Sequence, residues 1–333
     1  MKRRTFLTGL AGTAGAVTIP YVRGARAQTP ITLRFAHYAA ENHPGHIAAL
    51  QFAERVKTRS NGAIQVNVFP NNSLGSPPEQ IEQTRLGVID MSVPTQGALD
   101  KFEKAFGAVM LPFCFRDLDH AHRVLDGPAM DWLAPLAEKQ NIIILSNWEY
   151  GFRNLTNSKR PINVPDDVKG LKIRTPPEIQ ISASMEALGG VVTQIAFPEL
   201  YLALSQGVVD GQENPVAVIL FSKFYEVQPH LAMTKHIYNN MIHVISARSW
   251  AKLSPDQQTI LREESTSAGG KMRQLIASEE EDQIKKLEGL GIKVTRPDLE
   301  PFKAKMAPAY QRIAAYAGED NVKRFQEILA KMG

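Results

Sequence analysis

Two arginines and a polar run carry the most distinctive chemistry of this sequence. Arg153 follows an apolar segment in "NWEYGFRNLTN", Arg174 ends the alternating segment "LKIRT", and Asn214 lies in the run "DGQENP". A guanidinium group is a planar fork that binds a carboxylate through two parallel hydrogen bonds. Taken singly, each arginine fits a surface ion pair better. Together with the polar run, they lie at the ends of predicted strands, where α/β proteins bind ligands, and so indicate one wall of an anion-binding site.

Sequence motifs for catalysis and metal binding are absent. The chain contains none of the patterns GxSxG, GxxxxGK[ST], GxGxxG and HExxH. Two histidine pairs, His43 with His46 and His120 with His122, have neither a third ligand nearby nor cysteine partners. The single cysteine, Cys114, lies among apolar residues and cannot form an intramolecular disulfide. We therefore expect no metal, no cofactor and no catalytic residue, although a pair brought together only by the fold stays possible from sequence.

The charge distribution argues against a nucleic-acid-binding surface. The formal net charge is +4, but residues 1–27 hold five basic residues and no acidic one. Subtracting those five charges leaves −1 for the remaining residues, which is not the basic footprint that nucleic acid requires. Nucleic acid is therefore not an expected partner.

The N-terminal 27 residues have the anatomy of an export signal. A basic start is followed by a Gly-, Ala- and Thr-rich stretch and by the small-x-small sequence Ala25-Arg26-Ala27. Arg3 and Arg4 before Thr5-Phe6-Leu7 resemble the twin-arginine type, which carries folded proteins. The apolar stretch is too short and too rich in glycine for a membrane anchor. We expect a Tat-type signal peptide over residues 1–27 and a mature protein in the periplasm.

Alternating strand and helix patterns fill most of the mature chain. Period-two segments such as "ITLRFAHY" and "AIQVNVF" alternate with helical segments that end at Gly or Pro. Strand and helix patterns alternate again from "NIIILSNWEY" to "FPELYLALSQG", and after Ser254 the pattern is helical. This arrangement predicts two α/β halves with a mainly parallel sheet. Because no long linker separates the halves, we expect two hinged lobes with a ligand between them.

Three long motifs place the chain in a known family by resemblance. They are "GFRNLTNSKRPINVPDDVKGLKIRTPP", "FPELYLALSQGVVDGQENP" and "KFYEVQPHLAMTKH". They closely resemble the DctP-type solute-binding proteins of tripartite ATP-independent periplasmic (TRAP) transporters, over essentially the whole mature chain. The resemblance implies an α/β, two-lobed clamshell of the Venus flytrap type (type II-like), with a long helix spanning both lobes. We expect lobe I over residues 28–151 and 240–280, and lobe II over residues 152–239 and 281–333.

The resemblance also implies a set of ligand-binding residues. The carboxylate-binding arginine of the family falls on Arg174, its second arginine on Arg153, its asparagine on Asn214 and its aromatic residue on Phe197. Three further residues are weaker candidates for shaping the pocket, since each fits ordinary packing equally well: Tyr38, Gln96 and Trp148. Relatives that bind sialic acid carry acidic residues and an arginine where this chain has Ser76, Thr95 and Ala98, so an amino sugar acid is not expected.

The predicted function is that of a transport receptor. The partners implied are a small carboxylate (a uronate, a C4-dicarboxylate, a hydroxy acid or an aromatic acid) and the TRAP membrane subunits, with the receptor itself a monomer. Two other classes fit the sequence: a periplasmic enzyme that acts on a carboxylic acid through one of the histidines, and a ligand sensor that presents its closed form to a signalling receptor.

Overall fold

The computed structural model describes residues 29–333. The predicted signal peptide, residues 1–27, lies outside the described residues. No described helix combines the length and the apolar character that a membrane span requires. The described strands are β1 Ile31–Ala36, β2 Ile64–Phe69, β3 Met91–Ser92, β4 Ile142–Asn157, β5 Lys172–Thr175, β6 Val191–Gln194, β7 Gly211–Asn214, β8 His230–Ser246 and β9 Lys293–Thr295.

Helices connect and cover these strands. Those in the described part of the chain are α1 Pro44–Arg59, α2 Pro77–Leu86, α3 Leu118–Asp126, α4 Pro128–Glu138, α5 Ile179–Ala187, α6 Leu200–Ser205, α7 Val216–Phe221, α8 Ala247–Trp250, α9 Pro255–Gly289, α10 Glu300–Ala304, α11 Ala307–Ala317 and α12 Glu319–Lys331. Short 3₁₀ turns complete the connections, among them Gln96–Lys101, Lys104–Ala108 and Phe197–Glu199.

The strands form one mixed sheet. Its order is β2-β1-β3-β8-β4-β7-β5-β6, with β9 beside β8. Strands β1, β2 and β3 are parallel at one end, and β5, β6 and β7 are parallel at the other. The two long central strands, β4 and β8, are antiparallel to each other. The prediction of a mainly parallel sheet is therefore right for the two ends of the sheet and wrong for its centre.

The central strands run through both lobes. Ile142 of β4 pairs with Ser246 of β8, and Asn157 at the other end of β4 pairs with His230. Strands β1 to β3 join the sheet through the Ser246 end of β8, and β5 to β7 join it through the Asn157 end of β4. The pairing shifts register around Glu149–Gly151, where Gly151 has φ +106°, a conformation that favours glycine. The chain therefore crosses between the lobes within continuous strands.

A single long helix also connects the two lobes. Helix α9 has 35 residues and starts with a capping box formed by Ser254 and Gln257. It packs against α1 and β4 and, further along, against α7 and β9. At about 1.5 Å per residue it is about 50 Å long, enough to span the molecule. This is the long helix that the resemblance implies.

Two large apolar clusters cover the two faces of the sheet. Neighbouring residues of β4 alternate between them, since Ile143 and Leu145 belong to one cluster and Ile142 and Ile144 to the other. The first cluster includes Phe35, Phe52 and Trp148. The second includes Phe106, Phe302 and Phe325. Helix α11 packs against α5 and the 104–108 turn, so the C-terminal helices contact both halves of the chain.

Candidate functional site

A cavity of about 110 Å³ lies between the lobes, beside the central strands. Since one water needs roughly 10–15 Å³ by this measure, the cavity has room for several waters or a small organic molecule. Residues from lobe I and from lobe II line it together, and those used below are Tyr38, Thr95, Tyr150, Arg153, Arg174, Glu178, Phe197 and Asn214.

Arg174 presents unused hydrogen-bond donors to this cavity. It lies in β5 between Thr193 and Gln212 of the flanking strands and is 2% exposed. Its Nε donates to the Ile195 carbonyl at 2.9 Å, whereas its two terminal nitrogens donate to no residue within 29–333. Burial, the largest influence, lowers the pKa of Arg174 to about 10, so the group stays protonated at neutral pH. Arg174 is thus a poorly solvated cation with the planar end of its fork unpaired.

Arg153, in β4, is paired with an acidic residue of the protein. Its Nε and Nη2 both bind the carboxylate of Glu213, the Nη2–Oε1 distance being 2.8 Å. Nη2 also donates to the Asn214 side-chain oxygen at 3.1 Å. Burial alone would lower the pKa of Arg153, but the charge and hydrogen bonds of Glu213 outweigh it and raise that pKa. The sequence made both arginines candidates for binding the ligand carboxylate. In the structure, Arg153 binds a carboxylate of the protein, whereas the terminal nitrogens of Arg174 do not.

Asn214 ends β7, the strand formed by the last four residues of "DGQENP" before the proline. Its Oδ1 accepts from Arg153 and from the Tyr150 hydroxyl at 3.1 Å, and its Nδ2 donates to the Gln212 side chain. Pro215 then caps α7. The two valines before this run, Val208 and Val209, lie outside the strand, and the residue of the polar run that lines the cavity is Asn214.

Aromatic side chains also line the cavity. The Phe197 ring lies 5.9 Å from the Arg174 guanidinium carbon and 6.3 Å from the Tyr38 ring. Tyr38 is 8% exposed, and its hydroxyl has no hydrogen-bond partner in the described part of the chain. These rings exclude water beside Arg174, which strengthens any electrostatic interaction made there.

Two predicted pocket residues lie elsewhere. Trp148 packs in the first apolar cluster against Phe35 and His243, and its indole nitrogen donates to the Ser265 carbonyl at 3.1 Å. Gln96 is fully buried beside Thr95 and does not line the cavity. The packing of a large apolar ring and the direction of a buried amide depend on tertiary contacts, which neighbouring sequence does not reveal.

The cavity residues that sequence reasoning missed include Tyr150 and Glu178. Tyr150 stands three residues before Arg153, and burial raises the pKa of its hydroxyl to about 12, so it stays a donor. Glu178 follows Arg174 by four residues, precedes α5 and is 4% exposed. Its Oε1 accepts from Thr95 Oγ1 at 2.8 Å, a contact between the lobes. In each case the sequence signal was a candidate arginine three or four residues away, Arg153 for Tyr150 and Arg174 for Glu178.

The histidines and the cysteine have structural surroundings. His43 caps α1 by accepting from Gly45 N at 2.9 Å, and His120 packs against the Phe115 ring. Burial raises the pKa of the Cys114 thiol, which opposes a nucleophilic role. Within residues 29–333, no group of three or more His, Cys, Asp and Glu side chains is arranged to hold a metal ion.

Comparison with known proteins identifies the class. Residues 35–316 match the DctP family model, described as bacterial extracellular solute-binding protein, family 7. The 2,3-diketo-L-gulonate-binding periplasmic protein YiaO of Escherichia coli (strain K12) is 33% identical over 263 residues, covering 79% of this chain and 80% of YiaO. An uncharacterized protein, y4mM, of Sinorhizobium fredii is 36% identical over 302 residues. That match covers 90% of this chain, which spans about half of y4mM (55%).

A solved structure shows the same fold. The TRAP periplasmic solute-binding protein from a Polaromonas species, bound to D-erythronate, superposes with a TM-score of 0.85 and is 34% identical. The alignment covers 89% of this chain and 98% of that one.

The chain therefore belongs to the DctP family of bacterial extracellular solute-binding proteins, whose members are periplasmic receptors of TRAP transporters and not enzymes. The predicted family and the predicted fold, an α/β two-lobed clamshell, are confirmed.

Proposed function

We propose that this protein binds one small organic acid in the cavity between its lobes and delivers it to the membrane subunits of a TRAP transporter. The observation that carries the proposal is Arg174, whose two terminal nitrogens have no partner among the described residues although the side chain is buried. A buried cation that makes no direct ion pair is costly. A ligand carboxylate supplies that direct partner through two parallel hydrogen bonds.

The other cavity residues have complementary roles in this proposal. The neutral Tyr38 hydroxyl and the Asn214 amide, which has a second N–H, offer donors to the ligand. Arg153 holds Asn214 in place through its hydrogen bond and keeps one terminal nitrogen, Nη1, for the ligand. Phe197 covers the Arg174 side of the cavity. Trp148 and Gln96 have no ligand contact in this proposal, since they lie outside the cavity.

Ligand-driven closure is the signal for the membrane partner. We propose the lobes to be residues 28–151 with 240–280 and residues 152–239 with 281–333, so that β4, β8 and α9 cross between them. A ligand that contacts both lobes shifts the population toward the closed form by its differential affinity for that form. Because the cavity is complete within one chain, the receptor acts as a monomer, which light scattering of the purified protein can check.

The ligand is a carboxylate. The relative YiaO is named for 2,3-diketo-L-gulonate, and the Polaromonas protein holds D-erythronate. A uronate, a C4-dicarboxylate, a hydroxy acid and an aromatic acid all satisfy the Arg174 fork. The acid is bound and released unchanged, without metal or cofactor, which NMR of the ligand after prolonged incubation can check.

The test is calorimetry on Arg174→Ala with an acid found by thermal shift, because a ligand that binds only the folded state raises the melting temperature. Truncating one partner of a buried charge pair costs about 2–5 kcal/mol, so we expect an affinity loss of about 30-fold or more. Arg174→Lys also binds weakly, since an ammonium group lacks the fork.

The matched control is Arg296→Ala, which removes an exposed arginine paired with Glu281 at the surface. Unchanged affinity in Arg174→Ala would contradict the proposed site.

Export by the twin-arginine route is proposed from Arg3 and Arg4. Replacing both by lysine keeps the positive charge of the signal but removes the twin-arginine pair. The precursor should then accumulate in the cytoplasm, as shown by cell fractionation. Normal periplasmic levels of the double variant would point to the general secretory route instead.

A further inference from the structure

The Glu178 carboxyl group lies beside the proposed carboxylate site, and one of its oxygens accepts no hydrogen bond from the described residues. The residue lines the cavity with Arg174 and is 4% exposed. Its Oε1 accepts a hydrogen bond from Thr95 across the cleft, at 2.8 Å. Its Oε2 is buried and has no hydrogen-bond partner anywhere in residues 29–333. Buried polar atoms of native proteins are almost always paired, so this oxygen needs a partner that the protein does not supply.

The surroundings fix the position of this carboxyl group. A Cβ atom added at Gly97, in the 96–101 turn of lobe I, would lie 2.8 Å from Glu178 Oε2, so the glycine makes room for the carboxyl group. Arg153 is near enough to favour the ionised form, but it makes no hydrogen bond to Glu178 because it is paired with Glu213. Burial, followed by the charges of Asp100 and Glu213, outweighs Arg153 and raises the pKa of Glu178 to about 7.

We propose that Glu178 determines ligand specificity: its unpaired oxygen accepts a hydrogen bond from a hydroxyl group of the bound acid. The site then takes hydroxylated monocarboxylates and rejects dicarboxylates. This inference rests on the proposed function, because it requires the ligand carboxylate to bind Arg174.

Two physical effects separate these ligand classes. A hydroxyl group donates a hydrogen bond to Oε2, and a hydrogen bond to a charged acceptor is stronger than one to a neutral acceptor. Above about pH 7, where Glu178 is mostly ionised and at which the affinities are therefore measured, a second carboxylate has no proton to donate and repels Glu178 in a cavity of low dielectric. A plain fatty acid leaves Oε2 unpaired, so it gains the Arg174 contact alone.

The experiment measures affinities of the wild-type protein and of Glu178→Gln for matched sets of acids. Gluconate, adipate and hexanoate form the six-carbon set, and threonate, succinate and butyrate form the four-carbon set. The substitution keeps the shape and the acceptor for Thr95 but removes the charge. We expect the wild-type protein to prefer the hydroxylated acid of a set, and the ratio of hydroxy-acid to dicarboxylate affinity to fall about 10-fold or more in Glu178→Gln.

Two further variants test the origin of the effect. Glu178→Asp keeps the charge but withdraws it by one methylene, so it should weaken hydroxy-acid binding while dicarboxylates stay disfavoured. Glu199→Gln removes an exposed carboxylate from the same lobe and should leave the ratio unchanged.

The possible outcomes distinguish this inference from the proposed function. An unchanged ratio in Glu178→Gln, or a wild-type protein that prefers the dicarboxylate, overturns the role of Glu178, and Arg174-dependent binding would still support the receptor function. If no acid binds in an Arg174-dependent way, the proposed function fails and this inference fails with it.

Discussion

At the scale of single residues, the two arginines show what a sequence does and does not specify. Their type and their position after apolar segments predicted that both would reach a shared cleft, and both line one cavity. Their partners could not be predicted. Glu213 is distant from Arg153 in sequence and is brought beside it only by the pairing of β7 with β4. This pairing leaves Arg153 with one unused terminal nitrogen, Nη1, whereas Arg174 keeps both of its terminal nitrogens unused.

The buried pair yields a prediction about stability. Glu213→Gln keeps the shape of the side chain but leaves Arg153 as a buried cation without a counter-charge. Breaking a buried ion pair in this way costs about 3–5 kcal/mol, so the free energy of unfolding should fall by about that amount in urea titrations.

The matched control is Glu281→Gln, which removes the acidic partner of the exposed Arg296, 3.0 Å away. Surface pairs contribute little, so its unfolding free energy should stay nearly unchanged. Equal effects of the two substitutions would show that Glu213 does not balance the Arg153 charge in solution.

At the scale of elements, the short strands and amphipathic helices were predictable, and the long central strands were not. "NIIILSNWEY" predicted only the first part of β4, because the following "GFRNLTN" is polar and looks like a turn. The structure continues the strand through Asn157, where Thr156 and Asn157 are buried among side chains of lobe II. Polar residues can remain in a strand when other elements supply their hydrogen bonds, and periodicity alone cannot show this.

Helix α9 offers an element-scale prediction through its adjacent glycines. A Cβ atom on Gly269 would lie 2.5 Å from the Asn147 carbonyl oxygen and 2.9 Å from Trp148, so Gly269→Ala must push the helix away from β4. Overpacking of this kind costs about 1–3 kcal/mol. We expect a lower unfolding free energy for Gly269→Ala.

The neighbouring position gives the opposite expectation. Gly270 is exposed and its added Cβ atom meets nothing within 4 Å, so Gly270→Ala should stabilise the helix by up to about 1 kcal/mol. Thermal unfolding of both variants checks the pair. A stabilised Gly269→Ala would mean that α9 and β4 are not in close contact in solution.

At the scale of the whole molecule, buried histidines contribute to how stability depends on pH, together with paired carboxylates such as Glu213, whose pKa, despite burial, Arg153 holds below its usual value. Burial lowers the pKa of His37, His43 and His243 to about 3, below the ordinary value of 6.5. Between these values the unfolded chain binds more protons than the folded one, so stability falls as the pH falls from 6.5 toward 3. Burial raises the pKa of Asp100 to about 6 and that of Glu178 to about 7, so these two groups bind protons in the folded chain before they do in the unfolded one. They therefore oppose the loss of stability until the pH is low enough to protonate them in the unfolded chain as well.

The steepest loss of stability is therefore expected below about pH 4, near the ordinary carboxyl pKa. Each histidine contributes up to about 1.4 kcal/mol per pH unit there, and His243→Gln should reduce the slope by about that amount. Denaturant unfolding between pH 3.5 and pH 7.5 measures the slope. An unchanged slope in the variant would show that His243 is protonated in the folded protein.

The course of the chain through β4, β8 and α9 also has a consequence for biosynthesis. When the ribosome has synthesised Asn157, strands β1 to β4 are complete, but β8, which must lie between β3 and β4, is not yet made. Until residue 246 has left the exit tunnel, β1 to β3 have no strand through which to join the rest of the sheet, and α1 lacks its α9 neighbour. Folding should accordingly be a late, almost post-translational event, and stalled nascent chains ending before β8 should remain open to proteases.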